Sequence, residues 1–170
     1  MNLRALVASA IVLLASPFAQ ADDALPFNRP QADLYTYGQP SAAQLQQAAA
    51  AGITTVIDLR TPGEERGYDE QAAAEALGLR YVRLPVAGGG GLSADNARAL
   101  HQILGNDSGP VLLHCATSNR AGALLALRAA QQQGWEAPSA LELGQAAGLR
   151  QPALLEQVRR QITPDSTPQP

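Results

Sequence analysis

Val111-Leu112-Leu113-His114-Cys115-Ala116-Thr117-Ser118-Asn119-Arg120 decides the fold, because it sets the chain's single cysteine between a strand pattern and a helical one. Val111 to Leu113 form a short apolar run behind the Gly109-Pro110 breaker, and Arg120 to Gln133 hold an apolar face of helical period. Ala121 to Leu127 are apolar nearly all round, which predicts a buried central helix. A cysteine at the end of such a strand faces the N-terminus of the next helix, where unpaired N–H groups and the macrodipole favour negative charge. Such a placement lowers a thiol's pKa, so the segment reads as a catalytic thiolate loop. The competing reading is a small buried hydrophobe, the common fate of a free cysteine.

Working outward, short apolar runs alternate with alanine-rich helical stretches, the pattern of an α/β layer fold. Strands are expected at Leu34 to Tyr37, Ile53 to Leu59, Leu79 to Val86 and Val111 to Leu113, after a polar, proline-containing lead from Asp22 to Gln31. Ser41, followed three positions later by Gln44, is a capping-box signature for a helix ending at Gly52. Further helices are expected at Asp69 to Leu77, Ser93 to Leu104, Ala137 to Ala147 and Pro152 to Ile162. The sum is a central, mostly parallel sheet of four to five strands flanked by helices, with the cysteine loop between strand and helix.

The 170 residues, 46% apolar and 16% charged, suit one globular domain, expected over residues 22–162. Residues 1–21 read as a signal peptide: Met1-Asn2-Leu3-Arg4 is a basic start, Ala5 to Ala15 an apolar stretch too short to span a bilayer, and Ala19-Gln20-Ala21 a cleavage site. The expectation is a periplasmic or secreted protein, free of the membrane after cleavage, with a disordered tail at 163–170. Export to an oxidising compartment makes a lone cysteine conspicuous, since it cannot form an internal disulfide. All 12 basic residues are arginine, which excludes lysine Schiff bases, lysine general bases and a P-loop. A net charge of −3 without a basic run argues against nucleic-acid binding.

The loop has the parts that phosphate-ester chemistry needs. Cys115 supplies a soft nucleophile, the amides of Ala116, Thr117, Ser118, Asn119 and Arg120 an anion nest, and Arg120 a bidentate grip that lysine could not reproduce. His114 either tunes the loop and borders the substrate or is a packed strand histidine; His101 reads as a helix-surface residue. Asp95, in the first turn of its helix, is the first carboxylate after the Gly88-Gly89-Gly90-Gly91 run and the leading candidate for general acid, ahead of Asp58 and Glu64. The glycine run is expected to be a flexible connector rather than a lid, and Arg60 is expected to pair with Glu64.

His-Cys, a short loop, Arg and an apolar helix together resemble the cysteine-dependent protein tyrosine phosphatase superfamily. Gly38-Gln39-Pro40-Ser41, Val56-Ile57-Asp58-Leu59-Arg60 with Glu64 and Glu65, and Tyr81-Val82-Arg83-Leu84-Pro85-Val86 are similar to the bacterial phosphatase-like domain of the beta-lactamase-hydrolase-like family. The resemblance implies Cys115 as nucleophile, Arg120 as phosphate-binding arginine, a cysteinyl-phosphate intermediate, and neither metal nor cofactor. Its implied substrate is a phosphoprotein, phosphotyrosine included, or a small phosphorylated molecule. Four residues separate Cys115 from Arg120, one fewer than in common phosphatases, while Ser118 stands where the family has glycine and Ala121 where it has a hydroxyl residue. The short loop keeps open a rhodanese-like sulfurtransferase carrying a Cys115 persulfide. Ala121 and the acid-free glycine run keep open a non-catalytic oxyanion-binding module.

Overall fold

In the computed structural model, which describes residues 25–163, five strands form one sheet: β1 (Asn28–Gln31), β2 (Leu34–Tyr37), β3 (Thr55–Asp58), β4 (Arg80–Arg83) and β5 (Val111–His114). Their order is β1-β2-β5-β3-β4, and every pairing is parallel except β1 with β2. This is the mostly parallel α/β sheet expected. Strands β3 and β5 are buried at all four positions because helices cover both faces, so they read as unbroken rather than alternating apolar runs. Edge strand β4 instead carries exposed Arg80 and Arg83.

Six helices flank the sheet: α1 (Ala42–Ala50), α2 (Glu70–Ala76), α3 (Ala94–Gly105), α4 (Asn119–Gln133), α5 (Ala137–Ala146) and α6 (Pro152–Ile162). The capping box of α1 is formed, with the Ser41 hydroxyl accepting from the Gln44 amide at 3.3 Å and the Gln44 side chain accepting from the Ser41 amide at 2.9 Å. Asp69 and Ser93 cap α2 and α3 without the reciprocal bond, their side chains accepting from the Ala72 and Asn96 amides at 3.0 and 3.2 Å. One core packs Tyr35, Val56 and Leu112 against α1 and α2; the other packs Ile57, Leu113 and Cys115 against α3, α4 and α6. Alternation along β5 therefore sends His114 and Cys115 to opposite faces of the sheet.

Two differences from expectation concern loops. The lead before Leu34 contains β1, an edge strand joined to β2 through backbone pairs such as Asn28 with Thr36, for which an apolar pattern is not needed. Gly88–Gly91 form a 3-10 turn tied down by neighbours: Gln157 donates to Gly89 O at 2.7 Å, and Asn96 to Gly91 O at 2.7 Å. It is an anchored turn rather than a flexible connector. The signal peptide expected at 1–21 and the tail expected at 163–170 lie outside the described residues, Thr163 excepted.

Candidate functional site

Cys115 follows β5 directly, and its amide donates to Tyr37 O at 3.4 Å. The loop then turns through Ser118, whose φ of 67° makes it the one non-glycine with left-handed backbone among the described residues. That conformation costs a side-chain-bearing residue about 1–2 kcal/mol. It persists because Ser118 Oγ donates to Ala147 O at 2.8 Å and Asn119 Oδ1 accepts from the amides of Arg150 and Gln151 at 2.8 and 2.7 Å. The α5–α6 connection thus latches the loop. Gly148, at φ 99°, leaves the necessary room, since a Cβ there would lie 2.6 Å from Ser118 Oγ. The amides of Ala116, Thr117, Asn119 and Arg120 have no acceptor among the described residues, so these donors remain available to an anion.

Arg120, nine-tenths buried in the first turn of α4, is clamped from one side. Its Nη1 donates to Glu64 Oε1 at 2.6 Å and to Val86 O at 2.9 Å, and its Nη2 donates to Glu64 Oε2 at 2.5 Å. A guanidinium has five N–H groups. The three in use lie along the Nη1/Nη2 end, which leaves Nε–H and one Nη2–H as an adjacent pair for a second oxyanion. Hydrogen bonding to Glu64 raises the Arg120 pKa against the opposing effect of burial, and the nearby Cys115 raises it further. The guanidinium and the sulfur are therefore neighbours. Cys115 exposes no surface, whereas Ala116 and Thr117 are exposed beside it.

Several expectations about side chains are corrected. His114 is fully buried on the far face of the sheet, with Nε2 2.8 Å from Glu70 Oε1, so its ring does not border the loop pocket. It belongs to a buried polar cluster in which Arg60 bonds Asp58 at 2.9 Å and also Glu70, while Arg66 and Tyr81 bond Asp58 at 3.2 and 2.9 Å. Arg60 thus pairs with Asp58 and Glu70, and Glu64 pairs with Arg120 across 56 residues. Asp95 is 85% exposed and holds Arg98 at 2.8 Å, so nothing turns its carboxylate toward Cys115. Hydrogen bonds from Arg120 hold the Glu64 carboxyl at about 2. Burial pushes Asp58 up, but Arg60, His114 and Tyr81 outweigh it and bring that carboxyl to about 2. Both are ionised at neutral pH and have no proton to give. His101 is half-buried rather than superficial.

Asp58, Glu70 and His114 bring oxygen and nitrogen atoms within 4.8 Å of one another, a spacing that suits a cation. The Arg60 guanidinium already stands between the two carboxylates, and all four side chains are buried. The positive charge the cluster requires is the protein's own, and it braces β3 and β5 beneath the loop.

The Ser118 latch and the Glu64–Arg120 pair join residues 29 and 56 positions apart, so no local sequence pattern marks either. The mostly parallel sheet, with a cysteine loop leading from strand into helix, is the fold of the protein tyrosine phosphatase-like class. Residues 27–132 match the family model described as "Beta-lactamase hydrolase-like protein, phosphatase-like domain", and the chain belongs to this family. Beta-lactamase hydrolase-like proteins of Agrobacterium fabrum and Xylella fastidiosa are 37% and 39% identical over 94 residues, 53% of this chain. That match spans 22% of each relative's length. A putative phosphatase of Neisseria meningitidis z2491 is 26% identical with a TM-score of 0.66, covering 76% of this chain and 94% of that one. P. aeruginosa TpbA, in complex with pTyr, shares the fold at 22% identity and a TM-score of 0.58, covering 80% and 82%.

Proposed function

We propose that the chain is an exported, cysteine-dependent phosphatase that hydrolyses phosphate monoesters through a cysteinyl-phosphate at Cys115. The observation that carries this reading is the unspent Nε/Nη2 edge of Arg120 beside the Cys115 sulfur, backed by uncommitted loop amides. In the first step the Cys115 thiolate attacks phosphorus and the ester P–O bond breaks, with the electron pair leaving on the alcohol oxygen. Arg120 and the loop amides neutralise the phosphoryl oxygens as charge builds on them. In the second step water attacks phosphorus, the P–S bond breaks, and the thiolate and inorganic phosphate are regenerated. No cofactor enters either step.

Because Asp95 faces solvent and Asp58 and Glu64 are ionised, none of these three carboxyl groups is poised to protonate the leaving oxygen. The chemistry accordingly favours esters whose alcohol leaves as a stable anion, phenols above alkyl alcohols. Phosphotyrosine in an exported phosphoprotein fits that preference, as does a small aryl phosphate. Acting in the periplasm or outside the cell, the mature protein would engage neither membrane nor nucleic acid.

A second reading is favoured by one observation, the covered sulfur: an oxyanion-binding module that does no chemistry. Assay of the purified protein against p-nitrophenyl phosphate and against thiosulfate with cyanide separates the possibilities. The phosphatase reading predicts ester hydrolysis that Cys115→Ser and Arg120→Ala each abolish with the fold intact. Full activity in either variant overturns it, binding of vanadate without turnover supports the module, and thiosulfate turnover alone supports the sulfurtransferase.

A further inference from the structure

At the opposite end of β5 from Cys115, a cavity of about 510 Å³ opens between the β1–β2 turn, the α3–β5 connection and α4. That volume lies within the range of about 300–1,000 Å³ typical of small-molecule sites. Arg128 lines it, on the same helix as Arg120 and about 12 Å further along by the rise of an α-helix. The Arg128 side chain has no hydrogen-bond or ion-pair partner among the described residues. Its Nε and Nη1 are buried and unpartnered, and the residue is only 9% exposed. This differs from the other buried arginines among the described residues, since Arg60 and Arg120 each hold two acceptors or more. Burying a guanidinium without a counter-charge is strongly unfavourable, and a bound anion removes the penalty.

We infer that this cavity is a ligand site in which Arg128 clasps the carboxylate of a small, singly charged organic acid. The other charged groups of the lining set the ligand's charge. Asp107 is already committed, accepting from Thr55 at 3.0 Å and from Arg80, while Asp33 has no side-chain partner among the described residues. Two carboxylates in one wall repel a multiply charged anion more than a single carboxylate, and Asp33 can accept from a hydroxyl or ammonium elsewhere on the same ligand. Burial without a compensating partner also pushes the Arg128 pKa down, in keeping with an unmet demand for negative charge. The site shares no residue with the cysteine loop, so it stands or falls separately from the phosphatase reading.

Titration of the full chain carrying Arg120→Ala, which disables the loop's own anion grip, isolates this cavity. Acetate and inorganic phosphate are added at constant ionic strength against chloride, and melting temperature and Arg Nε–H resonances are followed. The expected result is an acetate-dependent rise in Tm with a shift of the Arg128 resonance, and phosphate at least tenfold weaker. Arg128→Met should melt higher than its parent without ligand and lose the acetate response. Ser108→Glu, which offers the cavity an internal carboxylate, should likewise melt higher and respond at least tenfold less. An acetate response equal in the parent and Arg128→Met, or none beyond chloride, overturns the site, and tighter binding of phosphate than of acetate overturns its ligand class.

Discussion

Removing Glu64 tests whether its carboxylate holds Arg120 in place or stands in the substrate's way. If Glu64 occupied the phosphate position, Glu64→Ala would free the guanidinium and raise activity. The donor inventory argues for the opposite sign, because Glu64 and Val86 consume three N–H groups at one end and leave the Nε/Nη2 edge for the anion. Without Glu64 the guanidinium keeps one protein acceptor, Val86 O, and can swing by about 1 Å, a displacement worth up to ~100-fold in rate. We expect kcat/KM for p-nitrophenyl phosphate to fall about 10- to 100-fold, or ~1.4–2.8 kcal/mol of transition-state stabilisation. Phosphate affinity should weaken in parallel. Stability should fall by about 1–3 kcal/mol, between the values for exposed and fully buried pairs, since Glu64 is 30% exposed and Arg120 11% at the side chain. Glu64→Gln, which keeps one acceptor but loses the charge, should fall between. Activity that is unchanged or higher in Glu64→Ala refutes the orienting role.

Three further outcomes follow from the same geometry. Gly122→Ala would place a Cβ 2.4 Å from Gly144 O and 2.6 Å from Leu149 N, so α4 and α5 must separate; a loss of about 1–2 kcal/mol after the gain in helix propensity should appear in chemical denaturation. Asp58, held at about 2 against an ordinary 3.8, contributes stability that is complete above pH ~4 and lost as pH falls toward 2. That contribution is about 2–3 kcal/mol, and Asp58→Asn should flatten this part of the stability–pH curve. Asp95→Asn should change kcat and its pH profile less than twofold, because the carboxylate is exposed and bound to Arg98; a steeper leaving-group dependence in that variant than in the parent would restore it as the acid.

The strand, loop and helix around Cys115 were legible because their signals are local: apolar period, breaker residues and caps within a few positions. What escaped was non-local or purely backbone. Arg60 and Glu64 are neighbours in sequence and were expected to pair, yet the sheet turns Arg60 inward to Asp58 and Glu70, while the loop carries Glu64 across to Arg120. Ser118 stands where the family has glycine, and only contact with Ala147, 29 residues away, shows how a serine tolerates left-handed backbone there. His114 was ambiguous because the chain order places it beside Cys115, whereas strand alternation places it on the other face. Strand β1 lacked an apolar pattern because its pairing is through backbone at a sheet edge.

Rapid-quench mass spectrometry during turnover of p-nitrophenyl phosphate tests the central claim most directly. The account predicts a phosphoryl adduct on the peptide carrying Cys115, formed with a burst of one p-nitrophenol per chain and absent from Cys115→Ser. Hydrolysis that persists in Cys115→Ser, or turnover with the phosphoryl group found on another residue, contradicts it.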